Sequence, residues 1–266
     1  MRGLDAPDIL RLWELGDQLS PVERTLALLH LGMPEARMDE LRALGIGQRD
    51  ALLIALREQT FGPTLRCCIE CPRCSSRLEL AVDSAALRIG PAPMLPLASA
   101  APTLHRLQVG ELTLTFRLPN SRDLVAISAE VDPQDAERRL LARCIQAAVR
   151  RAQAADAGAS QGETATETEI EIEDALSDAV MEQLGAELQR LDPQAVLRLA
   201  LHCAACGCAW KSILDIGNFF FSEVTAQAQR LAHDVCVLAR ALGWSERDIL
   251  AMSQRRRQLY LQEVES

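Results

Sequence analysis

The sequence predicts a mostly helical α+β protein, with N- and C-terminal helical parts around a small antiparallel β module. Three observations lead to this fold class. Apolar residues recur at helical spacing near both ends of the chain. Short central segments alternate apolar and polar residues, as half-buried strands do. Two Cys-x-x-Cys pairs each run into a segment of that kind. A chain of 266 residues can bury a sizeable core, as one large or two small domains.

Composition limits the classes of function. The net charge of −9 and the pI near 5.1 argue against a general electrostatic attraction to nucleic acid. No apolar run reaches the roughly 18 residues of a membrane-spanning helix, and the N-terminus lacks the pattern of a secretory signal. We therefore expect no membrane partner and a cytoplasmic location. Nine cysteines in such a chain favour metal binding over disulfides.

Residues 1–62 are predicted to form an N-terminal helical part. Ser20-Pro21-Val22-Glu23 is a capping box with proline at the first helical position, which marks one helix start. Four helices are expected, over 7–19, from Ser20 to Gly32, over 34–44 and over 48–60. In the fourth, we expect the leucines to face inward and three charged residues to face outward: Arg49, Arg57 and Glu58.

Residues 63–120 are predicted to hold the first cysteine knuckle and a β-hairpin. The knuckle carries Cys71 and Cys74, and the alternating residues 78–82 lead away from it as a strand. Residues 90–102 contain four prolines among small residues, which is typical of a surface loop. Two strand-like segments, 104–109 and 112–118, then flank Gly110-Glu111.

Residues 121–154 are predicted to be helical and residues 155–174 to be an acidic flexible linker. Asn120 starts a short helix, and a longer one runs from Pro133 to about Ala154 with Cys144 inside as a small core residue. The linker is rich in acidic and small residues. The alternation over 168–173 leaves a short edge strand open as an alternative.

Residues 175–217 are predicted to contain a helix and the second knuckle, which carries Cys203 and Cys206 between two strands. Residues 218–266 form the C-terminal helices. The longest, over 219–242, has a heptad seam made of Val224, Ala228, Leu231, Val235, Leu238 and Leu242. The seam packs either on the protein's own core or on a partner helix.

The two cysteine pairs predict a composite four-cysteine zinc-ribbon site with Cys71, Cys74, Cys203 and Cys206 as ligands. Four thiolates from two knuckles make the tetrahedral shell of a structural zinc ion. Closing a loop of roughly 130 residues costs about 4 kcal/mol. Structural zinc binding contributes roughly 10–16 kcal/mol. One Zn²⁺ ion can therefore hold the middle of the chain to its last third.

The sequence alone leaves open which metal binds and whether other cysteines are ligands. Iron uses the same four ligands. Cys67, Cys68 and Cys208 are surplus, and are either buried thiols or alternative ligands. A closed shell of four thiolates leaves no position for a substrate. The sequence also contains no nucleophile motif, P-loop or dinucleotide-binding motif. We therefore predict no enzyme activity and no small-molecule substrate.

The order of several motifs resembles the T4-type phage baseplate (hub-assembly) protein family, including its relatives from contractile injection systems. The similar stretches are Trp13-Glu14 with Ser20-Pro21, IGQRDALLIALREQTFG (46–62), ECPRCSSRLEL (70–80), FRLPNSRDL (116–124), WKSILDIGNFF (210–220) and ARALGWSERDILAMSQRRRQLYL (239–261). Knuckles of this kind usually read Cys-Pro-x-Cys-Gly. Here Ser75 replaces the glycine of the first knuckle, and Ala204 replaces the proline of the second.

The resemblance implies a non-enzymatic assembly or structural protein of a contractile phage tail or phage-tail-like injection system. Its partners would be other baseplate and tail proteins, and it would belong to the assembled particle or leave it as a chaperone. The alternative is a zinc-ribbon regulator that binds nucleic acid or the transcription machinery. Only a modest basic cluster near the knuckles favours that alternative: Arg66, Arg73, Arg77 and Lys211.

Overall fold

The computed structural model describes residues 1–90, 102–151 and 167–265. It confirms a mostly helical α+β fold with small antiparallel sheets. The described chain divides into two compact units. The first unit consists of residues 1–38, 50–90 and 197–265, and the second of residues 39–49, 102–151 and 167–196. The finer division into six segments that the sequence indicates remains a prediction.

The helices and strands follow the chain in a fixed order. The helices are α1 (Ala6–Gly16), α2 (Pro21–Gly32), α3 (Met38–Ala43), α4 (Ile46–Phe61), α5 (Ser121–Ile127), α6 (Pro133–Cys144), α7 (Ile172–Ala175), α8 (Asp178–Leu191), α9 (Ile216–Leu242), α10 (Glu246–Ala251) and α11 (Gln254–Glu265). The strands are β1 (Thr64–Glu70), β2 (Arg77–Asp83), β3 (Leu104–Val109), β4 (Leu112–Arg117), β5 (Ile145–Arg151), β6 (Glu167–Glu169), β7 (Arg198–His202) and β8 (Ala209–Ile213).

Helix α9 is the centre of the first unit and packs against α1, α2, α10 and α11. Four of its six heptad positions are buried there: Val224, Ala228, Leu231 and Leu238. Burying such residues is favourable in proportion to the apolar area removed from water. The seam therefore packs on the protein's own core, which confirms the first of the two readings of this helix.

Two antiparallel hairpins complete the first unit. Strand β1 pairs with β2, from Thr64 opposite Asp83 to Glu70 opposite Arg77. Strand β7 pairs with β8, from Arg198 opposite Ile213 to His202 opposite Ala209. Each hairpin has its Cys-x-x-Cys pair at the turn that joins its strands. The strand, knuckle and strand order predicted for both cysteine pairs is confirmed.

The second unit is built on an antiparallel sheet with the strand order β3-β4-β5-β6. One face of this sheet carries Leu112, Leu114 and Phe116 on β4. Helix α8 adds Val180 and Leu184 to the same buried cluster. The alternation of apolar residues along β4 thus places a continuous apolar row against the helix.

The helix predicted to run from Pro133 to about Ala154 is wrong beyond Cys144, where the chain becomes strand β5. Residues 145–151 include alanine, glutamine and arginine, which favour helix locally. Pairing with β4 overrides that preference, because it buries Ile145 and Ala148 in the sheet's core.

Parts of two predicted loops lie outside the described residues. These are residues 91–101 of the proline-rich loop and residues 155–166 of the acidic linker. The described end of the linker segment contains β6, which pairs with β5, followed by α7. A short edge strand therefore forms at residues 167–169, whereas the sequence left one open over 168–173, of which residues 172 and 173 belong to α7.

A buried carboxylate organises the FRLPNSRDL stretch of the second unit. Asp123 is fully buried, and its two oxygens accept hydrogen bonds from Arg117 at 2.6 and 2.9 Å. It also accepts from Arg143 Nε at 3.1 Å and from the backbone N–H of Asn120 at 3.0 Å. Burial alone would raise the pKa of Asp123, but these donors, Arg117 above all, lower it below its ordinary value.

Replacing Asp123 with asparagine is expected to cost about 3 kcal/mol, because two arginines lose the buried charge that pairs with them. Because the pKa of Asp123 is lowered in the folded state, its carboxylate stabilises the protein fully at pH values well above the unfolded pKa of about 3.9. This stabilisation is lost as the pH falls through the folded pKa. Urea unfolding at pH 7 and pH 3 measures both effects. A wild-type to D123N difference that stays constant between these pH values would contradict this account.

A close backbone approach explains the glycine of the IGQRD stretch. The N–H of Gly47 donates to Asp192 Oδ2 at 2.8 Å, within the second unit. A Cβ at residue 47 would overlap the Asp192 carboxylate. Residue 47, at the start of α4, must therefore be glycine, because there is no room for a side chain.

Candidate metal centre

The two knuckles have the same backbone geometry. In the first, the N–H of Cys71 donates to Ser76 O at 3.0 Å, and the N–H of Ser75 donates to Cys71 O at 2.8 Å. In the second, Cys203 donates to Cys208 O at 2.8 Å, and Gly207 donates to Cys203 O at 2.9 Å. Each pair of bonds closes one tight turn and turns both thiols of the pair towards a common point.

The residue after the second cysteine of each pair has a left-handed backbone. Gly207 has φ of 70°, as expected for glycine at this position, and Ser75 has φ of 56°. Ser75 is the non-glycine residue with positive φ in the described part of the chain. The replacement of glycine noted in the sequence therefore leaves the turn geometry intact and places strain at Ser75.

Opposite effects are expected from exchanging residue types at these two equivalent positions. Ser75→Gly should stabilise the protein by about 0.5–1 kcal/mol, since it removes the left-handed strain, and Gly207→Ala should destabilise it by about 1 kcal/mol. A Cβ at residue 207 meets no atom within 4 Å, so backbone strain alone acts there. Thermal unfolding of both variants measures the two signs. Equal signs would show that φ does not control these turns.

The four predicted ligand sulfurs come together between the hairpins. The Sγ atoms of Cys71, Cys74, Cys203 and Cys206 all lie within 4.8 Å of one another. Across the two knuckles, Cys71 and Cys206 are 3.7 Å apart, and Cys74 and Cys203 are 3.6 Å apart. A tetrahedron with Zn–S bonds of about 2.3 Å has sulfur separations of roughly 3.8 Å. A disulfide would need about 2.05 Å. The donor set fits a single tetrahedral metal ion.

Burial divides the site into an inner and an outer side. Cys71 and Cys203, the first cysteine of each knuckle, are buried. Cys74 is exposed and Cys206 is partly buried. The first cysteines therefore anchor the site in the protein, while the second cysteines lie nearer to solvent.

The thiols have different proton affinities because of their local hydrogen bonds. The hydroxyl and backbone N–H of Ser76 lower the pKa of Cys74 to about 6. The backbone N–H of Cys208 opposes the shift at Cys206, but burial and the adjacent thiols raise the pKa of Cys206 to about 12. A cation that binds all four sulfurs must therefore displace thiol protons at neutral pH.

The remaining cysteines are outside the four-sulfur cluster found among the described residues. Cys67 is partly buried on β1 and Cys68 is exposed, while burial and nearby thiols raise the pKa of the partly buried Cys208. Cys144 is fully buried in the second unit, and burial raises its pKa to about 12. Its predicted role as a small core residue is confirmed.

A scan against protein-family models matches residues 34–221 to the family described as T4 bacteriophage base plate protein. The match covers more than two thirds of the chain and includes both knuckles and the FRLPNSRDL stretch. The chain belongs to this family. The resemblance inferred from the motifs is confirmed. Membership assigns this base plate protein a structural role in a phage baseplate. Searches of curated proteins and of solved structures found no significant match.

A buried arginine that was not predicted from the sequence joins the start of β1 to α9 in this base plate protein. Arg57 is only 2% exposed. It donates to Glu223 on α9 at 2.9 and 2.6 Å. It also donates to Gly62 O at 2.6 Å and Thr64 O at 2.9 Å, where β1 begins. The prediction that Arg57 and Arg49 face outward is wrong, because both are buried.

The burial of Arg57 was not predicted because most of α4 is buried, so the helix has no exposed face that its charged residues would mark. Charged residues on helices usually face outward, and the partly exposed partner of Arg57, Glu223, lies 166 residues away in sequence. One local feature of the sequence could have indicated this role. Arg57 lies five residues before Gly62, near a helix end, where backbone carbonyls lack intrahelical donors and can accept from an arginine.

A separate observation concerns membranes. Among the helices of the described residues, none combines the length and the apolar character that a bilayer crossing requires.

Proposed function

We propose that this chain is a non-enzymatic structural or assembly protein of the baseplate of a contractile phage tail or of a phage-tail-like injection system. Its family membership over residues 34–221 carries the proposal. The protein acts through contacts with other baseplate and tail proteins. It is made in the cytoplasm and joins the particle there. The alternative of a nucleic-acid regulator receives no support from the family match.

We further propose that Cys71, Cys74, Cys203 and Cys206 bind one structural zinc ion. Sulfur separations of 3.6 and 3.7 Å across the knuckles support this, since they match the edges of a tetrahedral zinc–thiolate centre. The ion would connect two hairpins that are 129 residues apart along the chain at their nearest cysteines. Metal analysis of the purified protein separates zinc from iron.

The same ligand set supports the non-enzymatic part of the proposal. A catalytic zinc usually has three protein ligands and one open position. Four thiolates at tetrahedral separations leave no such position for a substrate. The metal would then stabilise the hairpins and hold them in the arrangement that partners recognise.

Co-expression with the tail sheath, tube and spike proteins of the same particle tests the proposed function. We expect the tagged chain to co-purify with at least one of them. Mass spectrometry of finished particles then separates a resident component, which is present, from a chaperone, which is absent. A chain that stays a stable monomer and ignores all of these proteins would overturn the proposal.

A further inference from the structure

The four cysteines of the cluster differ in their access to solvent. Cys71 and Cys203 are 1% and 0% exposed, and Cys206 is partly buried, whereas Cys74 is exposed. A reagent in solution must contact a sulfur atom before it can react with it. Cys74 is therefore the member of the cluster that such a reagent meets first.

The exposed sulfur of Cys74 has a buried thiol directly beside it. The Sγ atoms of Cys74 and Cys203 are 3.6 Å apart, in contact across the two knuckles. A disulfide has a sulfur separation of about 2.05 Å, so the two sulfurs must approach by about 1.5 Å, which rotation about the side-chain bonds can supply. Cysteines that respond to oxidants are typically exposed and lie next to a second thiol that completes a disulfide. Cys74 and Cys203 have this arrangement.

The contacts across the knuckles group the sulfurs into two pairs. Cys74 contacts Cys203 at 3.6 Å, and Cys71 contacts Cys206 at 3.7 Å. A disulfide in either pair would join one hairpin to the other, at the point where a shared metal ion would join them. A disulfide within one Cys-x-x-Cys pair would connect two residues of the same turn and leave the hairpins unconnected. The pairing therefore decides what oxidation does to this site.

We propose that Cys74 is an oxidant-responsive thiol that forms a disulfide with Cys203, which replaces the metal as the connection between the two hairpins. The inference rests on the proposed zinc site and gives that site a form of regulation. A tail particle that leaves the reducing cytoplasm enters surroundings in which disulfides persist. The hairpins would then stay joined after the metal is lost, through two cysteines that are 129 residues apart in sequence.

Hydrogen peroxide is the oxidant, and one molecule supplies both oxidising equivalents. The Cys74 thiolate attacks one peroxide oxygen, the O–O bond breaks, and a sulfenic acid and hydroxide result. The Cys203 thiolate then attacks the Cys74 sulfur, the S–S bond forms, and the S–O bond breaks to release a second hydroxide. Protons from solvent convert both hydroxides to water. Only Cys71 and Cys206 would then remain as ligands, which is too few for a four-coordinate structural site.

Treatment of the full, zinc-loaded chain with hydrogen peroxide tests the proposal. A chromogenic chelator measures zinc release, and mass spectrometry after proteolysis maps the disulfides. We expect zinc release to proceed in step with a Cys74–Cys203 disulfide, which joins a peptide of the first hairpin to a peptide of the second. A phosphine reductant should break this disulfide and allow added zinc to bind again.

Two substitutions in the first hairpin separate this role from oxidation at any exposed thiol. Cys74→His keeps a four-ligand zinc shell, since three cysteines and one histidine form a common structural site, but it removes the sulfur that starts the reaction. Peroxide should release zinc from this variant at least about fivefold more slowly than from the wild type. Cys68→Ala removes an exposed cysteine that lies outside the cluster, and should leave the release rate unchanged.

Two outcomes would overturn the proposal: disulfides confined to Cys71–Cys74 and Cys203–Cys206, or zinc release from Cys74→His as fast as from the wild type. If Cys74→His does not hold zinc, the disulfide map of the wild type decides. The same map separates this inference from the zinc proposal. Bound zinc that peroxide releases without a Cys74–Cys203 disulfide overturns the redox role alone. A purified chain without zinc that still forms this disulfide overturns the zinc proposal alone.

Discussion

Replacing Cys203 with alanine is expected to abolish metal binding and to lower the Tm of the first unit by more than about 10 °C. Cys203 is fully buried, and its sulfur lies 3.6 Å from Cys74 in the other knuckle. Structural zinc contributes roughly 10–16 kcal/mol to folding, and a change of 1 kcal/mol shifts Tm by about 2–4 °C in proteins of 150–250 residues. Loss of half of that energy would be about 5–8 kcal/mol, which is large beside the net stability of a domain.

Zinc content measured alongside thermal unfolding tests this expectation, and Cys236 supplies the matched control. Cys236 is an exposed cysteine on α9 that lies outside the four-sulfur cluster. Cys236→Ala should retain one zinc ion per chain and shift Tm by less than about 2 °C, as surface substitutions usually do. A Cys203→Ala protein with full zinc content and an unchanged Tm would show that the four thiols do not hold a structural metal.

The meeting of the four cysteines was predictable because the spacing within each Cys-x-x-Cys pair is a local feature of the sequence. Each Cys-x-x-Cys pair fixes two thiols on one tight turn, and two turns supply a tetrahedral shell. The register of the hairpins and the left-handed backbone at Ser75 follow from the same turns. The long separation of the two pairs along the chain did not prevent the prediction that they come together, because a tetrahedral metal site with four cysteine ligands needs both pairs.

Strand β5 shows why other parts of the fold could not be predicted. Its residues 145–151 follow a helix and have helical propensity of their own. Their strand conformation depends on the free edge of β4, which lies about 30 residues earlier in the chain. A single sequence contains no signal for that pairing, because the pairing depends on which edge the assembled sheet leaves open.

The heptad seam of α9 illustrates an ambiguity that only packing resolves. A spacing of four and three describes both a coiled-coil partner surface and a helix buried in its own domain. Val224, Ala228, Leu231 and Leu238 are buried by neighbouring helices of the same unit. Leu242, at the end of the same seam, remains 40% exposed.

Replacing Arg57 with methionine is expected to destabilise the first unit by about 3–5 kcal/mol. The methionine fills much of the same space, but Glu223 then lacks its cation, and the carbonyls of Gly62 and Thr64 lose their donors. Removing one partner of a buried ion pair costs this much because the other charge, here a Glu223 side chain that is only 22% exposed, stays largely desolvated without compensation. Urea unfolding measures the loss. Arg190→Met, which breaks the surface pair with Glu187, should cost less than about 1 kcal/mol.

If zinc binds at the four cysteines, the Arg57 variant should also release it faster, because the Arg57–Glu223 ion pair holds the start of β1 against α9. The metal would connect the hairpins at their turns, whereas Arg57 connects the start of β1 to α9, the helix that follows β8. Loss of one connection increases the motion that the other must resist, and contacts within one network are not additive. Transfer of zinc to a chromogenic chelator should therefore be faster in Arg57→Met than in Arg190→Met. Equal transfer rates in the two variants would show that the buried ion pair stabilises the helices without supporting the metal site.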